Sequence, residues 1–308
     1  MRVVVCICTY KRSELLERLL SSLQHMQLGE LDPKDLLALV VDNYPDDGRA
    51  RVVCERVCGQ LPVELEYVEE SRQGRPFARN RAVEEALGRD ADFIAFIDDD
   101  DLPEPDWLLR LIEKQRETQA DIVYGTERQV GTAEWPAWFK QSPLFDTGDR
   151  EQYTKYGTPK GVSTYNVLIS RAVIERARTN GHVFSSEFAR FGGEDTDFFI
   201  RAARSGATLA RAEKSVINRE YEPSRLTVRG SLQEALRLGS SNMFLLRRHG
   251  TSAQISYRRN KALKKIALGL VKLPLCPFSR VSLMRNLFSL SRELGTLRAY
   301  YARTYHKP

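Results

Sequence analysis

The chain predicts an α/β fold, a mostly parallel sheet flanked by helices, with a helical, basic extension behind it. Three observations predict it. Short apolar runs alternate with helical-period segments over the first hundred residues. Several of those runs end in polar or acidic residues. Charge also divides sharply near residue 225.

The elements follow in order. Val3–Cys8 reads as a buried strand. It leads to a helix over Ser13–Met26, with Leu15, Leu16, Leu19, Leu20 and Leu23 on one face and Ser13 as N-cap. A strand over Leu36–Val41 and a helix around Arg49–Val57 come next. Then follow a strand over Val63–Val68, a helix over Ala78–Leu87 and a strand over Asp92–Ile97. Such alternation predicts a parallel sheet covered on both faces. Beyond Gly125 the order is less regular, and Trp135, Pro136, Trp138 and Phe139 read as a long loop of the kind that serves binding.

At 308 residues and 42% hydrophobic, the chain can bury one large core or two smaller ones. The amino terminus enters a strand after a single Arg2, so no secretory leader is expected. No apolar run reaches the length of an ordinary spanning helix. Five cysteines, an odd number, argue for a reducing, cytoplasmic setting. Cys6 with Cys8, and Cys54 with Cys58, read as small buried hydrophobes rather than a zinc site. Residues 224–308 carry 17 Lys/Arg against 2 Asp/Glu, a balance of +15, whereas the residues before them carry 30 against 39, a balance of −9. An acidic body joined to a basic tail predicts two domains with two jobs, 1–225 and 226–308.

The acidic run Asp98-Asp99-Asp100-Asp101 stands directly after Phe93–Ile97, at the carboxyl end of a strand, where open α/β sheets place ligands. Massed carboxylates repel one another, and an oxygen-only set suits Mg²⁺ or Mn²⁺ with positions left for phosphate oxygens. A solvated acidic turn is the competing reading. Thr9-Tyr10-Lys11-Arg12 and Asp42-Asn43 end two further strands. There Asp42 can accept from a base N–H and Tyr10 can stack on the base. Gly74, Arg75 and Arg79 at a helix start offer charge and free N–H groups to a diphosphate, against simple capping with exposed arginines. In Gly192-Gly193-Glu194-Asp195-Thr196-Asp197, a glycine pair precedes Glu194 and Asp195. That pattern suits a general base reached by an incoming hydroxyl, or else an ordinary N-cap.

These pieces, Cys8–Arg12, Val41–Asn43, Ala78–Ala82, Phe96–Asp101 and Gly193–Asp197, resemble the inverting glycosyltransferases of family 2, with the GT-A fold, in the family's order over residues 1–225. The resemblance implies that Thr9, Tyr10, Arg12 and Asp42 hold the nucleoside of a nucleoside-diphosphate sugar, a UDP-sugar first among them. Asp98, Asp99 and Asp100 would be the D-x-D element, with Asp98 and Asp100 on Mn²⁺ or Mg²⁺ and Asp99 or Asp101 able to substitute. Asp195, beside Glu194, would be the catalytic base. Many members carry a late His ligand. Here Glu220 resembles its stand-in, with a structural salt bridge as the other reading. His25, His182, His249 and His306 receive no role.

The acceptor side is sparsely encoded. Trp135, Trp138 and Tyr153 can stack on sugar rings or pack the core, and Asn166 resembles a family position near the donor sugar. In the tail, Ala262–Phe278 mixes lysines with Ile266, Leu268, Leu270, Val271, Leu273 and Leu275 and is broken by Pro274 and Pro277. With Tyr300, Tyr301 and Tyr305 it suits an anionic membrane surface, so that the protein would be peripheral at the inner face. A helical cap, a dimerisation element and nucleic-acid binding compete, the last without any supporting motif. The function that follows is metal-dependent transfer of a sugar to a glycan or lipid-linked acceptor, in surface polysaccharide or glycolipid synthesis. A sugar-1-phosphate nucleotidyltransferase, the alternative enzyme reading, and a dehydrogenase would each show a Gly-rich loop after the first strand, where this chain has Thr9-Tyr10-Lys11-Arg12. A non-catalytic nucleotide-sugar-binding adaptor would not need both acidic motifs.

Overall fold

A computed structural model describes residues 1–140, 158, 162–179, 181–275 and 279–302. Tyr153, Pro277, Phe278, Tyr305 and His306, named above, lie outside them. The chain forms two compact units. The first is drawn from Met1–Val130, Glu151–Ala189 and Glu194–Glu220, the second from Gly131–Arg150, Arg190–Gly193 and Tyr221–Pro308.

The first unit is a mixed α/β unit built on one sheet. Its strands are β1 (Val3–Thr9), β2 (Leu36–Asp42), β3 (Glu64–Glu69), β4 (Phe93–Asp98), β5 (Asp101–Pro103), β6 (Ile122–Val130), β7 (Asn166–Ser170) and β8 (Leu209–Glu220). They lie in the order β3-β2-β1-β4-β7-β6-β8-β5. β3, β2, β1 and β4 run parallel, β7 runs against both β4 and β6, β8 runs with β6, and β5 against β8. Strands buried on both faces read as unbroken apolar runs, and β1, β2 and β4 do so because helices cover both sides. α1 (Ser13–Leu23), α2 (Arg49–Val57) and α4 (Trp107–Thr118) enclose one core layer with Val5, Ile7, Val40 and Ile97. On the other face α3 (Arg75–Gly88), α6 (Arg171–Arg176) and α7 (Glu194–Arg204) pack on Val4, Cys6, Leu39 and Phe96.

Three local expectations change. The N-cap of α1 is Arg12, which makes no side-chain cap bond, and Ser13 is the first helical residue. Lys11, with φ 56°, turns the chain out of β1, and the arginine that then stands at the N-cap has no acceptor to offer the first N–H groups. α3 begins at Arg75 rather than Ala78, because Gly74 takes φ 135° and Pro76 is tolerated in a first turn. Cys6 and Cys54 are buried, but Cys58 caps the end of α2 and is exposed.

The second unit is helical. Its helices are α5 (Ala137–Lys140), α8 (Val228–His249), α9 (Ser252–Lys272) and α10 (Arg280–Tyr301). Trp135, Trp138 and Phe139, expected in an open loop, are buried here with Ala235, Met284 and Phe288. Trp135 and Phe139 meet edge-on at 5.3 Å, and Trp138 packs on Phe288 at 6.0 Å. These rings are core, so the apolar area they bury holds α5 to α10. α8 and α10 cross closely because two glycines face the partner backbone. A Cβ on Gly239 would lie 1.8 Å from the Arg292 carbonyl oxygen, and one on Gly295 2.0 Å from that of Leu236. Ser240 donates to the Gly295 carbonyl at 3.0 Å and Ser291 to that of Leu232 at 2.6 Å across the same contact. No helix among the described residues is long and apolar enough to cross a membrane.

Candidate active site

β1 lies between β2 and β4, with Thr9 opposite Asp42 and Cys8 opposite Asp98. Parallel register therefore sets three strand ends side by side where the chain turns first to one side of β1 and then to the other. Ligands settle at such a switch point. Asp42 is buried. It accepts from the Tyr44 N–H at 2.9 Å and from the Tyr67 hydroxyl at 2.9 Å. Burial pushes its carboxyl up, and those two donors pull it back. Tyr10 is 41% exposed, stands edge-on to Tyr44 at 5.7 Å and donates to Gln73 at 3.2 Å. The Lys11 ammonium sits 3.9 Å above the Tyr44 ring. An exposed aromatic surface thus lies near a fixed carboxylate, an arrangement able to stack a planar base.

The four aspartates separate by burial. Asp99 turns inward, its Oδ2 accepting from Thr9 at 2.8 Å and its Oδ1 from Arg12 at 3.2 Å. Burial pushes its carboxyl up to about 7 against the pull of Arg12 and Thr9. Asp101 is wholly buried and stands opposite Arg219 in the β5–β8 ladder. Arg219 grips both of its oxygens, at 2.7 and 2.8 Å, and also reaches Asp98 at 3.2 Å and Glu127 at 3.1 Å. Its guanidinium lies 4.4 Å over the Tyr165 ring. Asp98 and Asp100 remain more open, and Asp100 accepts from Arg12 at 3.1 Å.

Oxygen atoms of Asp98, Asp100 and Asp101 lie within 4.8 Å of one another. An all-oxygen donor set at that spacing fits a hard divalent cation such as Mg²⁺ or Mn²⁺. Arg219 takes both oxygens of the buried Asp101, whereas Asp98 and Asp100, each also ion-paired, are the more exposed of the three and the more accessible to an ion. Glu220 is not in this group. It pairs with Arg18 at 3.1 Å, with both side chains about half exposed.

A second cluster forms between α3 and α7. Arg75 and Arg79 lie one turn apart and both engage Oε1 of Glu194, Arg75 at 3.3 Å and Arg79 more closely. Arg79 is 5% exposed and stands 3.7 Å from Asp98, so it links the two acidic motifs and is not a solvent-facing arginine. Arg75 keeps a half-exposed side chain. Gly74, ahead of them, donates its N–H to Asn43 at 2.8 Å, and Asn43 in turn donates to the carbonyls of Glu70 and Arg72. Asn43 thereby ties the end of β2 to the start of α3.

Glu194 is 1% exposed, and its Oε2 has no hydrogen-bond partner among the described residues. Asp195, the next residue, is partly exposed. It accepts from the Ser163 hydroxyl at 2.7 Å and from the Thr196 N–H at 2.7 Å. Burial opposes its ionisation, but Arg79, the Ser163 hydroxyl, Arg75 and the Thr196 N–H outweigh it and hold the carboxyl below its usual range. A carboxyl held below its usual range is ionised at neutral pH.

Sequence reasoning missed Arg219, Glu127, Tyr67 and Ser163. None of the four carries a signal in the sequence: Arg219 is one of three cations along β8 and is singled out only by the β5–β8 pairing. Asn166 is buried, and its amide is spent on the backbone. It donates to the carbonyls of Thr126 and Ser215 at 3.3 and 3.1 Å and accepts from the Ser215 hydroxyl at 3.1 Å. Gly125 admits it, since a Cβ there would come 2.2 Å from the Asn166 amide nitrogen, at the irregularity between β6 and β8.

The chain is similar to several known proteins. The family profile described as "Glycosyl transferase family 2" matches residues 4–178. The succinoglycan biosynthesis protein ExoM of Rhizobium meliloti (strain 1021) is 29% identical over 250 residues, covering 80% of this chain and 75% of that protein. Among solved structures, the mannosyltransferase PcManGT from Pyrobaculum calidifontis, in complex with GDP-Man and Mn²⁺, superposes with a TM-score of 0.59. It is 18% identical and covers 96% of this chain and 87% of that one. S. aureus TarS 1-349 in complex with UDP-GlcNAc gives a TM-score of 0.54 at 15% identity, over 97% of this chain and 92% of that one. The chain spans 44% of the longer TarS chain, at a TM-score of 0.53 and 17% identity.

Proposed function

This chain belongs to glycosyl transferase family 2, and from that premise we propose that it catalyses metal-dependent, inverting transfer of a sugar from a nucleoside diphosphate to an acceptor hydroxyl. The observation that carries the reading is the chain of contacts from Asp98 through Arg79 to Glu194, with ionised Asp195 beside it. Nucleotide and sugar-transfer chemistry need opposite charges close together, and Arg79 keeps the two acidic motifs from repelling each other.

In this reading Asp42 and Tyr10 receive the base, with Thr9 and Arg12 holding Asp99 in place behind it. Asp98 and Asp100 would hold Mn²⁺ or Mg²⁺, which when bound offsets charge on the diphosphate leaving group. The half-exposed Arg75, held by Glu194, adds a cation for the same oxygens. Asp195 orients the acceptor hydroxyl and takes its proton as that oxygen attacks the anomeric carbon from the face opposite the diphosphate. Ser163 fixes the carboxylate's orientation, and Glu194 holds Arg75 and Arg79. The donors bound by the structural neighbours, GDP-Man and UDP-GlcNAc, support a nucleoside-diphosphate sugar here, and we assign a UDP-sugar as the first to test. The resemblance to ExoM supports an acceptor in polysaccharide assembly, a glycan or a lipid-linked one. Following a single turnover by proton NMR tests the stereochemistry. An α-linked donor is expected to give a β-linked product, and retained configuration would contradict the single displacement.

We further assign the acceptor's setting to an anionic membrane surface at the cytoplasmic face, through α9. Between Glu234 and Glu293 the chain has no acidic residue. On α9, Tyr257, Lys261, Lys264, Leu268 and Val271 recur at helical spacing along one stripe. Tyr257, Leu268 and Val271 are 67, 53 and 71% exposed. Cations beside exposed apolar groups suit lipid headgroups above acyl chains. Co-sedimentation with phosphatidylglycerol vesicles is expected, and little with phosphatidylcholine alone. Lys261→Gln with Lys264→Gln should lower the partition about 30-fold, at about 1 kcal/mol for each cation. Binding indifferent to lipid charge would contradict the assignment.

A further inference from the structure

The helical unit contains a cavity of about 270 Å³ that the proposed transfer chemistry does not use. Arg190, Arg237 and Arg298 line it, with Phe191, Leu236 and Gln233. The three arginines come from separate places in the chain: the segment before α7, the middle of α8 and the end of α10. Like charges that converge on one concavity raise its potential unless an anion answers them. Among the described residues little does. Glu234 pairs with Arg237, at 2.8 Å to its Nε. Glu293, the other acid after residue 224, is buried and bound to Arg258 at 2.5 Å and Lys265 at 3.5 Å. Among the described residues neither Arg190 nor Arg298 has a carboxylate partner.

The rest of the lining is apolar. Phe191 is 3% exposed and packs against Phe244 with ring centroids 5.3 Å apart, so its position is fixed. The Ser240 hydroxyl at the same wall donates to the carbonyls of Leu236 and Gly295, which leaves recognition to the guanidiniums and the Gln233 amide. Planar forks of N–H donors match phosphate oxygens two at a time. The volume exceeds that of one phosphate and leaves room for a second or for the first carbons of a chain.

We propose that this cavity binds a phosphate or diphosphate group borne on an apolar chain, with Arg190 and Arg298 on the oxyanion and Phe191 and Leu236 against the chain. The proposal rests on the transfer reading above only for what the ligand carries. It makes the ligand the anchored end of a lipid-linked acceptor. Arg190 precedes Asp195 by five positions, with Gly192 and Gly193 between them. An anchor gripped by Arg190 is thus joined by a short stretch of backbone to the residue assigned as base.

Calorimetry on the full chain with farnesyl diphosphate, farnesol and inorganic diphosphate tests the site. Farnesyl diphosphate is expected to bind more tightly than either of the others. The double variant Arg190→Gln/Arg298→Gln is expected to weaken it by about 10- to 100-fold, the loss of one charge-assisted contact or more. UDP affinity, measured on the same samples, is expected to stay unchanged and reports that the variant is folded. Unchanged farnesyl diphosphate binding in the variant would overturn the site. Inorganic diphosphate binding as tightly as the lipid form would overturn the apolar-chain assignment and make the cavity a free-phosphate site. Farnesyl diphosphate binding that depends on both arginines, in a chain that binds no nucleotide, would leave this site standing and remove the transfer reading instead.

Discussion

Replacing Asp195 with Asn is expected to lower kcat by about 10²- to 10⁴-fold, the usual loss of a general base, with nucleotide affinity unchanged. Asn keeps the size of the side chain and an oxygen to accept from Ser163, now 2.7 Å away, so geometry survives while the proton acceptor is lost. Steady-state rates at saturating donor, set beside nucleotide titration of the same variant, separate the two effects. Turnover within a few-fold of the parent would contradict the assignment. It would shift attention to Glu194, whose buried Oε2 has no partner among the described residues. The fall should be in kcat rather than in donor binding, because Asp195 is placed on the acceptor side of the reaction and makes no contact with Thr9, Asp42 or Asp99 among those described.

The second large effect concerns stability. Arg219→Met is expected to cost about 3–5 kcal/mol, because it strands a buried carboxylate that has lost its partner. Asp101 is 0% exposed, and Arg219 supplies the cation bound to both of its oxygens. Urea unfolding measures the loss, and the double variant Asp101→Leu/Arg219→Met is expected to recover part of it, since removing both charges also removes the cost of burying either. A single-variant loss below about 1 kcal/mol, as exposed pairs give, would show that Asp101 reaches solvent. Arg219 also touches Asp98, so the same variant should weaken nucleotide binding through a disordered acidic turn.

Much of the parallel half of the sheet was legible because its strands are buried on both faces and so stand out as apolar runs. Val3–Thr9, Leu36–Asp42 and Phe93–Asp98 each end in the polar residue that faces the site, and strand order alone then collects Thr9, Asp42 and Asp98. Arg219 was illegible for the opposite reason. β8 is charged along much of its length and only partly buried, so nothing in its pattern distinguishes Arg219 from Arg211 or Lys214. Only the antiparallel pairing with β5 puts it opposite Asp101. Ser163 lies in a stretch with no period at all, and its role exists only through a contact 32 positions away in the chain.

Trp135 and Trp138 show a different limit. Aromatic residues among prolines read as a binding loop when the partner surface is unknown. Their partners, Met284 and Phe288, lie about 150 positions later in a helix the sequence assigned to a basic tail. The same tail was legible in composition but not in use. Its charge divides among buried pairs such as Arg258–Glu293, the exposed stripe of α9 and the arginines of the cavity. Net charge fixes none of these separately.

Titration of UDP, GDP, CDP and dTDP into the protein, each with and without Mn²⁺ and repeated with Asp100→Ala, tests the central claim most directly. One nucleotide bound in preference, with an affinity gain from Mn²⁺ that Asp100→Ala abolishes, is the predicted result. No diphosphate bound under either condition would contradict the account, since every role assigned to Asp42, Asp98, Asp100 and Arg75 presupposes that ligand.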